Sequence, residues 1–478
     1  MSKVKNKLDK KYCNSNMTFE DCEMAILRNT ISEIDELKEA KKKKGNIDIN
    51  SLISIVEDFI KRKKLICYGG TAINNILPKY AQFYDKDTTI PDYDFYSATP
   101  IEDAKELCNI YYKNGYRDIE AKTSAHHGTF KVFVNFVAVA DITFIHPDIQ
   151  KGISKDAVLI DGIHYAPPEF LRMSMYLELS RPKGDVDRWE KVLKRLNLLN
   201  KHYPLKYDTC DEKDFLSKRN ISDETNLLIR NTIIDDGAVF FGGYSSLLYS
   251  KYMVKQEKNL IKEIPDFDVI SKDTKRLANI IAEKVKKTKQ KVKVVHHKGI
   301  DEIIPPHCEV IVNNKSVVFI YEPIACHNYN VVKVDEKEIN IATIETILSF
   351  YLAFISINMK GYNKNRLLCI SELLFKVLED NKSYNKGILK RFPLTCIGEQ
   401  QTLSDIKAEK ARKYKEFKAR NLSKNSKEYE MWFLRYTPYK KNLYNSKSKK
   451  SVSKTPHNKT LKNKSLSTKS KYEMSFLF

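Results

Sequence analysis

The sequence predicts a mixed α/β (α+β) chain of two tandem domains, each a small mixed sheet with flanking helices, preceded by helices and followed by an unfolded basic tail. Three observations lead there. Glycine-bearing apolar blocks recur at an offset of about 174 residues. Each block is followed by alternating and β-branched runs of strand type. Each copy then closes on two segments of helical period. Two copies are too few for a solenoid, which needs three or more repeats, so the pattern reads as a duplicated domain.

The elements follow in order. Thr18 with Asp21 signals a helix start, and Met24, Ile26, Leu27, Ile31, Ile34 and Leu37 continue it at roughly helical spacing. Lys41 to Lys44 and Gly45 end it, and Asn50 is read as the cap of a second helix through Ile60. The first copy opens with LICYGGTAINNIL (65–77), a short strand, Leu65 to Tyr68, running into a helix from Ala72 to Leu77. The second opens with VFFGGYSSLLY (239–249). IPDYDF (90–95) and IPDFDV (264–269) come next, then AKELCNIYYKNGY (104–116) and RLANIIAEKVKK (276–287). A histidine pair stands in each copy, His126-His127 and His296-His297. Asn313-Asn314-Lys315 separates two β-branched runs and reads as a hairpin turn. Aligned on it, Asn135-Phe136 is the turn of the first copy, and the strand from Val137 to Ile145 carries Asp141. PPEFLRMSMYLELS (167–180) and RWEKVLKRLNLL (188–199) match TIETILSFYLAFIS (343–356) and RLLCISELLFKVL (366–378) as helices. Residues 405–420 read as a charged helix laced with i,i+4 pairs.

Composition narrows the function classes. With 42% hydrophobic and 11% aromatic residues the chain is not a disordered polyampholyte. Its nine cysteines are scattered, odd in number and free of C-x-x-C, which argues against a disulfide scaffold, a zinc ribbon and an oxidising compartment. The N-terminus lacks the apolar core of a signal peptide. The longest uncharged apolar stretch, Thr346 to Met359, has 14 residues, short of the ~20 needed to span a bilayer. Secreted and membrane classes are thereby disfavoured. The formal charge of +22 arises from 83 Lys+Arg against 61 Asp+Glu. Residues 440–478, low in complexity, hold eleven Lys and one acid, Glu473, and so contribute nearly half of it. Richness in Lys, Asn, Ile and Tyr also follows from an AT-rich coding sequence, so the charge alone is slim ground for nucleic-acid binding.

The acids carry more. In a strand, Asp92 and Asp94 point one way and Tyr93 the other. Two like charges so close need a compensating cation or proton, and a hard divalent ion held by carboxylates and substrate phosphates meets that need; an acidic surface turn is the other reading. Gly69-Gly70-Thr71, between strand and helix, would let a phosphate approach backbone N–H groups at a helix N-terminus, with the Thr71 hydroxyl as a further donor. A plain strand–helix turn has the same composition. Asp141 is a single acid inside the apolar run Val132 to Ile145, costly there unless it is paired, for instance with a buried Arg, or bound to metal. Arg188, Lys191, Lys194 and Arg195 form one basic helix face opposite Trp189 and aliphatics, suited to an RNA backbone or to solvent.

Strand-Gly-Gly-Thr-helix, then D-x-D, then an acid on a later strand, resembles the DNA-polymerase-β-like nucleotidyltransferases. CYGGTAINNIL, IPDYDFYS, HHGTFKVFVNFVAVADIT and ELSRPKGDVDRWEKVLKRL resemble more closely the catalytic subunit of poly(A) polymerases of nucleocytoplasmic large DNA viruses, of poxvirus and giant-virus type. The likeness covers residues 60–205 strongly and 235–380 more weakly. It implies template-independent addition of AMP from ATP to RNA 3′ ends, releasing pyrophosphate, in the cytoplasm of an infected cell (viral factory or virion). By the same resemblance Asp92, Asp94 and Asp141 would hold two Mg²⁺ or Mn²⁺ ions, and Gly69, Gly70 and Thr71 would cradle the β/γ phosphates. Arg181 and Lys183, in SRPKGD, are candidate contacts to triphosphate or primer, or residues of an exposed interhelical loop. The 21-residue spacer from Gly70 to Asp92 is longer than in many nucleotidyltransferases, which places a loop such as Gln82 to Thr89 beside the site. A processivity subunit or a homodimer is implied as partner. Alternatives are another RNA or oligonucleotide nucleotidyltransferase, or a non-catalytic RNA-binding subunit.

The second copy keeps Gly242-Gly243 and Asp266-Phe267-Asp268 but puts Tyr244 for Thr71 and Phe319 for Asp141, with Glu322 close by in the alignment. It is therefore expected to be catalytically dead and to serve as scaffold, dimer surface or RNA platform. The recurring histidine pairs are read as structural. The expected boundaries are a helical segment 1–64, a catalytic domain 65–205, a degenerate second domain 206–385, a helical extension 386–439 and a tail 440–478.

Overall fold

In the computed structural model, residues 17–18, 20–30, 49–84, 93–205, 210, 221–261, 264, 266–301 and 303–438 are described. The tail, the apolar positions Ile31, Ile34 and Leu37, and Asp92 lie outside them.

Helix α1 covers 20–30, its first turn satisfied by Thr18, whose Oγ1 accepts from the Asp21 amide at 3.2 Å. Helix α2 (Ile49–Lys63) begins one residue before Asn50, so Asn50 lies within the helix rather than capping it. The first copy then runs β1 (Ile66–Cys67), α3 (Gly69–Ile76), β2 (Tyr93–Ser97), α4 (Pro100–Lys113), β3 (Ile119–Thr123), β4 (Thr129–Val134), β5 (Val137–Phe144), α5 (Pro147–Lys155), β6 (Val158–Ile160), β7 (Ile163–Tyr165), α6 (Pro168–Leu179) and α7 (Trp189–His202). The second runs α8 (Asp223–Asp236), β8 (Val239–Phe240), α9 (Gly243–Tyr249), α10 (Lys255–Leu260), β9 (Phe267–Ile270), α11 (Thr274–Lys286), β10 (Val292–His297), β11 (His307–Val312), β12 (Lys315–Tyr321), β13 (His327–Val334), β14 (Lys337–Ala342), α12 (Ile344–Ser356) and α13 (Lys364–Asp380). After these come β15 (Cys396–Ile397), α14 (Leu403–Ala419), α15 (Lys427–Phe433) and β16 (Arg435–Tyr436).

The strand orders are β16-β3-β4-β5-β2-β1-β7-β6 and β10-β11-β12-β9-β8-β14-β13-β15. Aside from one added edge strand each, β16 and β15, the two sheets are the same mixed sheet built twice. Each sheet is mixed, as expected, and has eight strands, the chain after α13 supplying both extra edges. The two hairpins turn where the repeat put them. Asn135-Phe136 and Asn313-Asn314 all take positive φ, at 49°, 66°, 50° and 67°, the conformation that matches the twist of a two-residue hairpin.

Alternation explains the core. In β2 the pattern is buried at Tyr93, Phe95 and Ser97 and half-buried at Asp94 and Tyr96, so one face feeds the apolar interior and the other carries polar groups. α6 and α12, the equivalent helices of the two copies, pack against each other and join the copies. Gly152 of α5 tightens the same junction: a Cβ there would lie 2.1 Å from the Ser356 carbonyl oxygen at the end of α12. Arg172 of α6 is fully buried, its Nε donating to Asn200 Oδ1 at 2.8 Å and a second nitrogen to the Tyr203 carbonyl, which ties α6 to α7.

Two disulfides between described residues depart from the sequence reading. Cys210 joins Cys369 and Cys326 joins Cys396, with Cα atoms 5.6 and 5.3 Å apart across 159 and 70 residues of chain. Such pairs are created by tertiary approach and leave no local spacing to read. Cys67, Cys108 and Cys308 are free and buried.

Candidate active site

Asp94 and Asp141 face each other as register partners on the adjacent parallel strands β2 and β5. Neighbouring strands lie ~4.8 Å apart, and two carboxylates at that spacing repel by roughly 3 kcal/mol at an effective dielectric near 20. Lys131, the register partner of Asp141 on β4, offsets part of this by donating to Asp141 Oδ2 at 2.5 Å. The other oxygen, Asp141 Oδ1, is buried and has no hydrogen-bond partner among the described residues. A charged oxygen left so is costly, and a divalent cation is the group that satisfies it. The pairing expected for an ordinary buried acid is thus realised on one oxygen only, and by Lys131 rather than an Arg.

The Gly-Gly turn sits beside these acids. Helix α3 begins at Gly69 itself, not at Ala72, so both glycines form its first turn. Gly69 has φ +73°, and a Cβ on it would stand 2.4 Å from Asp94 Oδ2; no other residue fits there. A Cβ on Gly70 would meet the Tyr84 hydroxyl at 2.7 Å and Arg195 at 2.8 Å. The guanidinium of Arg195 donates to Tyr84 at 2.6 Å and lies 5.0 Å from the Phe83 ring centroid, so it is held over the N-terminus of α3. The first-turn amides, the positive end of the helix and a fixed guanidinium together form an anion site.

The cleft encloses about 590 Å³ and is lined by Tyr68, Gly69, Gly70, Thr71, Tyr84, Asp94, Asp141, Arg188, Lys191 and Arg195, with Ser124, His126 and Thr129 at one rim. Arg195, with partial burial and Arg188, holds the Lys191 ammonium below its usual pKa. Glu178 of α6 closes the cleft; burial raises its pKa, and Arg188, 3.6 Å away, opposes that rise. Tyr68 and Tyr96 stack at 3.9 Å on the same face, and Tyr68 bonds Thr143 at 2.7 Å.

Of the residues named from sequence, Gly69, Gly70, Thr71, Asp94 and Asp141 come together here. Asp92 lies outside the described residues, as does 85–89 of the expected loop; its near end reaches the site at Tyr84. Arg181 and Lys183 stand beyond the end of α6 and are not among the lining residues. The basic face of α7 divides: Arg188, Lys191 and Arg195 turn into the cleft, while Lys194 turns outward to Glu190 at 2.6 Å. Tyr84 and Lys131 were not found from sequence, because neither belongs to a motif and only the fold brings them to the acids. His126 lies at the rim and His127 stacks on Trp432 at 4.2 Å.

The second copy provides an internal comparison. Phe319 on β12 pairs with Asp268 on β9, so Phe319 occupies the Asp141 position and Glu322 does not. The Phe241 amide bonds the Asp268 carbonyl as that of Tyr68 bonds Asp94, which equates Tyr244 with Thr71.

The family model described as poly(A) polymerase catalytic subunit matches residues 54–185. The similarity to that family lies within this segment of the chain. It is 36% identical over 160 residues to a putative poly(A) polymerase catalytic subunit of Acanthamoeba polyphaga mimivirus, covering 32% of this chain and 27% of that protein. It is 32% identical over 173 residues to the corresponding protein of African swine fever virus (strain Badajoz 1971 Vero-adapted), covering 35% and 36%. The matched stretch thus spans about a quarter to a third of those relatives. The crystal structure of the Megavirus polyadenylate synthase has the same fold, with a TM-score of 0.69 at 21% identity over 92% of both chains. Among the described residues no group of three His, Cys, Asp or Glu side chains gathers to hold a metal; the poly(A) polymerase reading needs Asp92 as its third acid.

Proposed function

We propose that this chain is a template-independent polynucleotide adenylyltransferase, adding AMP from ATP to the 3′ end of RNA in the cytoplasm and releasing pyrophosphate. The observation that carries the reading is the Asp94–Asp141 pair with its unpartnered buried Oδ1, set beside a helix N-terminus whose glycines admit phosphate.

The residues suit two Mg²⁺ or Mn²⁺ ions. Asp94 and Asp141, with Asp92 by the sequence reading, would hold them. When bound, they lower the pKa of the attacking 3′-hydroxyl and neutralise charge on the triphosphate. The chain supplies the rest. The Gly69 and Gly70 amides and Arg195 bind and orient the triphosphate, so that the α-phosphorus faces Asp141. Lys191 and Arg188 spread positive charge along the departing pyrophosphate. Asp141, on the strand farther from the phosphate cradle, lies on the side where the 3′-hydroxyl must approach and accepts its proton, while Lys131 holds its other oxygen in place. Tyr84 acts through Arg195, fixing the guanidinium over Gly70.

Incubation of the chain with labelled ATP, Mg²⁺ or Mn²⁺ and a short RNA should yield a ladder, lost in Asp92→Ala/Asp94→Ala. The absence of any ladder from the unmodified chain sinks the reading.

A further inference from the structure

The second copy has a groove where the first has its active cleft. It encloses about 1030 Å³ between the copies, walled by α5, the end of α12 with the loop to Lys364, and the strands β10 and β11. Its floor holds Phe319, Glu309 and Asp266, the counterparts of Asp141, Lys131 and Asp92.

That floor is closed to metal chemistry. Asp268 is only 4% exposed, and its Oδ1 accepts from the Tyr362 hydroxyl at 2.5 Å, which in turn meets the Tyr321 hydroxyl at 2.6 Å. Glu309 is consumed by His297 at 2.8 Å and by Ser316. The groove nevertheless draws lysines from three separate elements: Lys151 and Lys155 of α5, Lys298 after β10, and Lys360 after α12. None of these four makes an ion pair among the described residues, whereas Lys364 of the same groove pairs with Asp156. Convergence of unpaired cations on a concave surface signals a polyanion. A platform for bases is present too. The His297 ring lines the groove and stacks on His307 at 4.6 Å with the planes 16° apart, and an unpaired base could extend that stack.

The groove also lies next to the catalytic cleft. The loop from Gly299 to Ile304 borders it through Ile300 and Ile304. The same loop carries Asp301, which accepts from the His146 amide at 3.3 Å and whose charge is felt at Tyr96 in the cleft. A strand leaving one site meets the other across a single loop.

We infer that this groove binds the single-stranded RNA upstream of the reacting 3′ end, so that the dead copy serves as the primer-holding site. The inference rests on RNA being the substrate. It assigns Lys151, Lys155, Lys298 and Lys360 to backbone phosphates and His297 to base stacking.

The test uses the full chain without ATP and a labelled single-stranded RNA of about 20 nucleotides, with affinity read by anisotropy from low to moderate salt. Lys155→Ala/Lys298→Ala/Lys360→Ala should weaken binding roughly tenfold or more and lower the slope of log K against log salt by about 2, three contacts at ~0.7 each. Extension of a primer of about four nucleotides, too short to span both sites, should be unchanged. Photocrosslinking of 4-thiouridine RNA to the unmodified chain should mark segments 297–319 and 355–364. An unaltered salt slope overturns the inference, as do crosslinks confined to 65–195, or a variant that loses ATP affinity instead. A chain that adds no AMP yet shows the slope change sinks the proposed function and leaves the groove; the reverse sinks the groove alone.

Discussion

The two copies share a sheet order, a Gly-Gly turn and a D-x-D strand, yet they handle charge in opposite ways. In the first, Asp94 stays half-buried beside Asp141, and Asp141 keeps one oxygen unsatisfied. In the second, Phe319 fills the Asp141 position, Glu309 stands for Lys131, and Tyr362 seals Asp268 from solvent. Burial and the neighbouring Asp266 raise the pKa of Asp268 well above the carboxylate range, and burial takes Asp266 to about 6 against the pull of Arg366. The difference teaches that a motif is a site only while its charge remains exposed and under-compensated. Once a tyrosine and a phenylalanine satisfy or cover the acids, the same residues become part of a core.

The largest effect should come from giving the first copy the second copy's residue. Asp141→Phe should abolish AMP addition, with a loss well beyond the roughly 100-fold upper end for removing a group that only supports a ligand. Melting temperature, read alongside, should change little. If extension of labelled RNA persists, the two copies differ for some other reason.

A smaller effect is expected at Arg195, which Tyr84 holds over Gly70. Arg195→Ala removes a charge-assisted contact worth about 1.5–3 kcal/mol. It should raise the KM for ATP about tenfold or more while leaving the KM for RNA unchanged. An effect on RNA alone would move the α7 face back to the primer.

The smallest test is on stability. Asp268 faces Asp266, Arg366, Tyr362 and Tyr321. Its raised folded pKa means that the folded state holds a proton the unfolded state releases near pH 4. The stability this proton contributes is fully present below the unfolded pKa and is lost as pH rises through the folded value. Asp268→Asn keeps the Tyr362 hydrogen bond and removes that loss. Its melting temperature should match the unmodified chain near pH 4 and exceed it by about 2–4 °C per kcal/mol recovered at pH 8, with RNA extension unchanged. Equal melting at both pH values would show that Asp268 is not held protonated.

Much of the site was legible because its residues carry local signals. An acid inside an apolar strand violates what an ordinary element tolerates, and a Gly-Gly before a helix and a D-x-D gain their meaning beside it. The repeat also placed both hairpin turns, and it identified Phe319 as the counterpart of Asp141. Arg195 was visible only as one of four bases on a helix face, because helical spacing cannot say which neighbour that face meets. Tyr84 carried no signal, since an isolated tyrosine near a loop has nothing unusual about it. The disulfides were misread for the same reason: their partners lie far apart in the chain.

The amino-acid order by itself determined the duplication, the periodicity of strand and helix, and the two acids and glycines that point to phosphoryl transfer, because each depends on neighbours within a few residues. Tertiary structure alone decided which charges stay unsatisfied. Lys131 reaches one oxygen of Asp141 and no described residue reaches the other, Arg195 is held over Gly70 by Tyr84, and Tyr362 crosses from the loop after α12 to close the second site. Those outcomes depend on the packing of elements distant in sequence, where burial sets the cost of a charge and a single added partner removes it.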